Sequence, residues 1–319
     1  SSGILSGDWE LDFYSRPILE PDGKKRWELL IISSPCEGTT TSFRFEKRCP
    51  ASNVNSTWLT SALTEAIADA QHQGWSVPRK LRSWRSSMRT MVQRAASELG
   101  LEMVPSRRTY ALFDWIAERE QDLYPKEEGY MAGPLAPPPA PVSTPPRPLP
   151  ESVRGDAWNW AELPASALRD AAEWPIGFRS LLPVPSSIKD EQVIPGLRLF
   201  SQTRGLALAG LLGGIEPVRL RVNGTQLLLD AGQDDCWLVS DLSAEEATHV
   251  SALMKQASEH ANGLQFIAVQ TSPEAERFEG FWMLRDQAEA RPPTKIHTAR
   301  VLQSSNLARI RDGCSAPAH

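Results

Sequence analysis

The sequence predicts an α/β protein: two α/β (α+β) domains joined by a Pro-rich linker. Three observations carry that expectation. Residues 8–124 read in the order β-β-β-α-β-α-β-α. Prolines crowd residues 125–150. Strand and helix patterns then resume through residues 151–286, with sharp turn and capping signals. Residues 287–319 are polar and charged and are expected to form a mobile tail.

Each element has a local reason. Residues 9–18 alternate, with Trp9, Leu11 and Phe13 on one face and Glu10, Asp12 and Tyr14 on the other, as in a half-buried strand. Pro21-Asp22-Gly23 marks a turn, and the apolar run Leu29-Leu30-Ile31-Ile32 suits a sheet centre. Residues 42–47 form a weaker third strand. Asn55 caps a helix through His72 that turns Leu59, Leu63, Ala66, Ile67 and Ala70 inward. Residues 80–84 and 101–104 are short strands. Between them a helix over 86–99 ends at Gly100. Ser106 is expected to cap a last helix over 107–121, carrying Leu112, Trp115 and Ile116. The linker favours polyproline II, which makes a semi-rigid spacer; a ligand for a Pro-reading module is the alternative. In the second domain Trp158, Trp160 and Trp174 mark an aromatic opening segment, and residues 165–173 read as a short helix. Residues 183–195 read as loop and 196–213 as a small-residue helix. Strands are expected over 218–222, 226–229 and 236–239, with Asn223-Gly224 as a hairpin turn. Ser243 and Glu246 form a capping box for a helix to about His260, and strands follow over 264–270 and 278–284.

Composition excludes several classes. Four cysteines without a C-x-x-C pair argue against a zinc ribbon, a redox motif or a disulfide scaffold. Five histidines lack metal-ligand spacing, so neither a metal site nor a cofactor is expected. No apolar stretch is long enough to span a bilayer. These features fit a soluble, reducing, cytoplasm-like compartment. No nucleophile elbow, Gly-rich phosphate loop or Ser/His/Asp arrangement appears, and no catalytic residue is assigned.

The charge distribution points to a partner. Arg79, Lys80, Arg82, Arg85, Arg89, Arg94, Arg107 and Arg108 stand against only Glu98 and Glu102 between residues 79 and 108. That segment carries about +6 in a chain of net charge −5, so the remainder carries about −11. A local positive field of this kind attracts polyanions. Trp84 sits between Arg82 and Arg85, placing a base-stacking ring inside the basic run; a core position is its alternative. Lys24 and Lys25 extend the positive surface or form an ordinary charged turn. The candidate RNA contacts are therefore Lys24, Lys25, Arg79, Lys80, Arg82, Trp84, Arg85, Arg89, Arg107 and Arg108. Arg16, before Pro17, is expected to pair with a carboxylate.

A resemblance covers nearly the whole chain. The run Trp9-Glu10-Leu11-Asp12-Phe13-Tyr14-Ser15-Arg16-Pro17-Ile18-Leu19 and then Gly23-Lys24-Lys25-Arg26-Trp27-Glu28-Leu29-Leu30 resembles the opening of the Tab-type RNA-binding proteins of plants, algae and cyanobacteria. It continues at Arg82-Ser83-Trp84-Arg85-Ser86-Ser87-Met88, at Val104-Pro105-Ser106-Arg107-Arg108, at Leu149-Pro150-Glu151 and at Phe281-Trp282-Met283-Leu284. The chain departs from the family at Trp84, Ser87 and Met283. The resemblance implies a translation factor that binds single-stranded A/U-rich RNA in the 5′ untranslated region of a photosystem I message. It also implies a chloroplast stromal site in plant and algal relatives.

Two other classes remain open at this stage. The order of elements in residues 8–124 is that of ribonuclease-H-like folds, whose enzymes hold two Mg²⁺ ions on acids of the first strand, the first helix and the end of the fourth strand. Asp12 and Glu65 fit the first two places, but the fourth strand runs into Arg85. Asp230, Asp234, Asp235 and Asp241 are further acids near strand ends. A protein-interaction scaffold, built on the acidic, Trp-rich second half and docking translation or assembly proteins, is the third class.

Overall fold

The computed structural model describes residues 7–36, 40–132 and 145–287. The first domain is built on five strands: β1 (Trp9–Leu19), β2 (Lys25–Ser33), β3 (Arg44–Cys49), β4 (Lys80–Ser83) and β5 (Glu102–Pro105), in spatial order β3-β2-β1-β4-β5. The first three pair antiparallel, while β4 and β5 run parallel to β1. This arrangement agrees with the ribonuclease-H-like element order.

Alternation in β1 sets the two faces of that sheet. Trp9, Leu11 and Phe13 pack under α1 (Ser56–His72) and α2 (Arg89–Glu98) in the main core with Leu59, Leu63, Val92 and Ala95. Each fully buried Leu or Val there contributes roughly 1.5–3 kcal/mol. The opposite face meets α3 (Tyr110–Glu118), whose Leu112, Trp115 and Ile116 pack on Leu30 and Ile32. Asn55 caps α1 as its sequence foretells, accepting from the Trp58 amide.

The expected first-domain elements differ mainly at helix ends. A 3-10 turn over Ser86–Met88 precedes α2. α3 starts at Tyr110 rather than Arg107, because Ser106 is engaged elsewhere: its hydroxyl donates to Glu216 and accepts from the Arg108 amide. The linker is also more than a spacer at its end. Its Arg147–Pro148 forms a short strand, β6, against the second domain, and Leu149 is buried. Residues 133–144 of the linker and 288–319 of the expected tail lie outside the described residues.

The second domain has two sheets. β7 (Ala157–Pro164), β8 (Ile176–Ser180), β9 (Val193–Phe200), β13 (Leu264–Gln270) and β14 (Phe278–Arg285) form a five-stranded sheet in the order β7-β9-β13-β14-β8. α4 (Ala165–Arg169), α5 (Gly205–Gly214) and α6 (Ala244–His260) accompany it. β10 (Pro217–Asn223), β11 (Gln226–Ala231), β12 (Asp235–Asp241) and β6 form the smaller sheet. Asn223-Gly224 turns the β10–β11 hairpin with Gly224 at φ 60°, where a side chain is disfavoured. The capping box at Ser243 and Glu246 is present.

One expectation fails clearly. Residues 193–200 form a central strand, not a loop followed by helix. β9 is flanked by β7 and β13 and is almost wholly buried, so its residues show no alternation. Gly196 in β9 is required because a Cβ there would lie 2.4 Å from the Phe266 ring. β7 runs through the aromatic opening segment and β8 through residues to which the sequence assigns no element, with Trp158 and Trp160 of β7 turned toward one core.

Candidate nucleic-acid interface

The centre of the first domain is an ion-paired cluster. Asp12, on β1, is almost fully buried, and both of its oxygens are taken. Arg85 Nε donates to Oδ1 at 2.5 Å, and Arg85 Nη2 and Arg16 Nη1 donate to Oδ2 at 3.1 and 2.9 Å. Burial would raise the Asp12 carboxyl, but Arg85 and then Arg16 outweigh it and hold it below its usual range. Arg85 therefore stands near the strand end where a ribonuclease-H-like enzyme carries an acid, and its guanidinium occupies the first-strand carboxylate. Glu65 lies on α1 and pairs with Lys47 at 2.6 Å. Asp12 and Glu65 are thus committed separately, and no group of three or more His, Cys, Asp or Glu residues is placed to hold a metal among the described residues. Asp230 and Asp235 are paired with arginines as well.

The basic island divides into outer and inner members. Arg79 precedes β4, Lys80 opens it, Arg89 opens α2, and Arg94 lies on the solvent side of the same helix. Among the described residues none of these four has an ion pair or a side-chain hydrogen bond. They string along α2: Lys80 is paired with Glu102 just beyond the end of the helix, and Arg89 is at its start. Ten helical residues span about 15 Å. Only Glu98 and Glu102 oppose them in the sequence of that region, and the Glu98 carboxylate accepts from Thr60.

The inner members face the second domain. Arg82 donates from Nε and Nη2 to Glu216 at 3.1–3.2 Å and from Nη1 to Asp8 at 2.9 Å. Burial would raise the Glu216 carboxyl, yet Arg82 overrides it and lowers it. Glu216 is itself strained, at φ 55° without being glycine, and its backbone carbonyl accepts from Gly232 N. Arg108 donates to Pro217 O, Ser180 Oγ and Met283 O, and the Tyr110 hydroxyl donates to Val218 O. Arg285 reaches back to Asp114 at 2.7 Å. These contacts form an interdomain seam. Arg82 and Arg108, expected among the RNA contacts, here direct their donors to protein acceptors, mostly across the seam.

Trp84 and Arg85 form a stack of their own. The Arg85 guanidinium lies 3.8 Å from the Tyr14 ring centroid and 4.2 Å from that of Trp84. Trp84 also meets Phe113 at 5.3 Å. One face of Trp84 is therefore covered by Arg85 in a cation-π layer, and Trp84 packs against the α3 cluster, as in the core alternative. Lys24 and Lys25 are on the β1–β2 hairpin, at the end of β1 opposite the one where Trp9 pairs with Leu81 of β4. Ten strand steps separate those ends, about 30 Å, so these lysines do not join the island. Arg16 takes the expected structural place, paired with Asp12 and near Glu28.

Arg107 differs from every other inner arginine. Its amide donates to Gly232 O, on the β11–β12 turn, but its guanidinium makes no hydrogen bond among the described residues, and its Nε is buried without a partner. Burial, and then the charges of Arg219 and Arg221, lower its proton affinity against the opposing pull of Asp230 and Asp234.

Several seam residues carried no signal in the sequence. Glu216 and Asp8 are isolated acids, and nothing near residue 216 announces a left-handed backbone. Arg219 and Arg221 alternate on β10, which marks them as facing one side of a strand, but not as facing the first domain.

A two-domain α/β protein whose described residues leave a cationic stripe without ion pairs, on an otherwise acidic chain, has the surface charge that suits a polyanion. Comparison with known families gives the particular family. The N-terminal model of the Tab2/Atab2 RNA-binding proteins matches residues 8–119, and the C-terminal domain model matches residues 137–285. The chain is 33% identical over 290 residues to the chloroplastic protein TAB2 homolog of Zea mays, covering 88% of this chain and 71% of that one. It is 32% identical over 289 residues to the homolog of Arabidopsis thaliana, covering 88% and 74%. The chain belongs to the Tab2/Atab2 family of RNA-binding proteins.

Proposed function

We propose that this protein binds single-stranded, A/U-rich RNA in the 5′ untranslated region of a photosystem message and supports its translation without catalysing a reaction. The observation that carries the reading is the outer stripe: Arg79, Lys80, Arg89 and Arg94 have no carboxylate partner among the described residues, in a chain of net charge −5. Unpaired guanidinium and ammonium groups neutralise phosphates and release counterions without first breaking an internal pair. Arg85 and Trp84 border the stripe, and Lys24 and Lys25 offer a separate contact for a longer RNA. The family membership and the chloroplastic relatives support the RNA partner and a photosynthetic setting, with a cytoplasmic site in a cyanobacterial-type cell and a stromal one in a plant-type cell. The commitment of Asp12 to two arginines supports binding over Mg²⁺-dependent cleavage.

The test is retention of labelled A/U-rich single-stranded RNA by the purified chain at two salt concentrations, with and without Mg²⁺. Salt-sensitive binding of intact RNA is expected. Mg²⁺-dependent cleavage would contradict the reading, as would absence of binding at low salt.

A second reading has its own observation. Phe178, Leu206 and Leu211 are 46%, 55% and 49% exposed on β8 and α5, an apolar surface apart from the stripe. It supports contact with a translation or assembly protein. Such a contact would persist at high salt, where the RNA contact weakens.

A further inference from the structure

We propose that Arg107, flanked by Arg219 and Arg221 on the outer face of the β10–β12 sheet, forms a phosphate subsite that takes one phosphodiester of bound RNA at the domain seam. This rests on the RNA-binding reading and goes beyond it, because it places part of the RNA path on the second domain.

The face is defined by strand pairing. Arg219 is opposite Asp230 and Asp230 opposite Cys236, while Arg221 is opposite Leu228. Val218, Leu220, Leu227 and Leu229 turn to the other side, into buried positions. Arg219 and Arg221 therefore point outward, toward the first domain, where Arg107 is tied to Gly232 by its backbone. Leu228, on this same outer face, is fully buried, while the Arg221 side chain is part-exposed.

Three guanidinium groups meet here with too few acceptors. Asp230 accepts from Arg219 Nε at 2.8 Å and from Arg221 Nε at 3.0 Å, so its oxygens are committed. Arg219 has a second acceptor in Asp286 at 2.9 Å. Among the described residues Arg221 has, besides Asp230, the Cys236 sulfur at 3.3 Å, and its side chain is 32% exposed. Arg107 has none, and Asp234, exposed on the neighbouring turn, acts on it through space without a hydrogen bond. A half-buried guanidinium with no acceptor is costly to keep. Its neighbour Arg108, one residue on, fills three acceptors. The arrangement is that of a site waiting for an anion with several oxygens. A phosphate matches the fork of Arg107 bidentately and leaves an oxygen for Arg221.

The location has a mechanical consequence. Gln233, on the same β11–β12 turn, donates from its side chain to Trp84 O at 2.9 Å. The subsite is thus fastened to the Trp84–Arg85 stack beside the outer stripe. An RNA phosphate on Arg107 would bridge both domains, so binding would depend on the seam being closed.

The experiment uses the full chain with Arg107→Met and Arg107→Lys. It reads affinity for labelled A/U-rich single-stranded RNA across salt concentrations, together with Tm in inorganic phosphate and in a non-coordinating buffer. Arg107→Met is expected to lose about tenfold in RNA affinity and about 0.7 in the salt slope. Its Tm without ligand should be unchanged or higher, since an unpaired guanidinium has been removed. Arg107→Lys should keep the salt slope and lose only part of the affinity. Unchanged RNA affinity in a folded Arg107→Met overturns the subsite while leaving RNA binding by the protein intact. A lower Tm in Arg107→Met with RNA affinity unchanged would assign Arg107 a structural role and overturn it equally. Failure of the wild-type chain to bind RNA would overturn the parent reading. If phosphate alone then raised the Tm of wild type and not of Arg107→Met, the subsite would belong to a free phosphate, and the RNA assignment would be lost.

Discussion

Arg108 and Arg89 come from one basic segment and have opposite fates. Arg108 is buried at the seam, its donors shared among Pro217 O, Ser180 Oγ and Met283 O. Arg89 opens α2 in solvent with no ion pair among the described residues. Side by side in sequence charge, they differ in what removing them should cost. Arg82 and Arg108 hold the two domains together, and the outer arginines are available to a ligand. Positive charge along a chain thus measures supply, while the folded structure decides how much is already consumed.

The sharpest way to break that comparison is Arg108→Ala. It strands two buried backbone carbonyls and should cost about 3 kcal/mol of stability in denaturant unfolding. A loss below about 1 kcal/mol would show that the seam does not rely on it. Glu216→Gln should cost somewhat less, about 2 kcal/mol, because Arg82 keeps Asp8. Limited proteolysis would show faster cleavage between the domains if the seam opens as expected.

Glu10 probes the interior of the first domain, between β1 and α3, through pH. Burial raises its carboxyl to about 7, opposed by the neighbouring Ser34, by the hydrogen bond from the Leu112 amide and by the charge of Arg82. The folded protein therefore holds a proton that the unfolded chain releases near pH 4.5. Stability from this group is fully present below pH 4.5 and is lost as pH rises toward 7. Asp12, Glu216 and Asp230, whose carboxyls are lowered, act the other way: their contribution is present at neutral pH and fades in acid. Glu10→Gln should remove a decline of about 2 kcal/mol between pH 5 and pH 8 relative to wild type. Parallel pH profiles for the two proteins would contradict the buried, protonated state.

The smallest effect on stability belongs to the outer stripe. Replacing Arg79, Arg89 and Arg94 with Gln should leave stability within about 0.5 kcal/mol, since exposed unpaired side chains support little. Comparable destabilisation by this triple variant and by Arg108→Ala would erase the distinction between the two groups.

The first domain was largely legible in sequence because its strands obey period two and its first helix carries a cap. Trp9, Leu11 and Phe13 alternate with Glu10 and Asp12, and those faces are realised. β9 was illegible because burial on both faces erases alternation, and its Pro195-Gly196 pair imitates a loop. The site was half legible. Clustering of arginines is a sequence property and located the region. Which of them meet Glu216, Pro217 O or Met283 O depends on residues more than a hundred positions away, brought together only by domain docking. Trp84 was ambiguous for a related reason: its covering group, Arg85, is adjacent in sequence but is aimed by Asp12 from another strand.

The central claim is that the outer stripe, and not the seam-locked arginines, presents charge to RNA. The most direct measurement is the salt dependence of single-stranded RNA binding by the wild type and by the Arg79, Arg89 and Arg94 to Gln variant, with Tm recorded for both. The account predicts an unchanged Tm, clearly weaker binding and a salt slope smaller by about two, as expected for three lost phosphate contacts. Full affinity and an unchanged slope in a folded triple variant would contradict it.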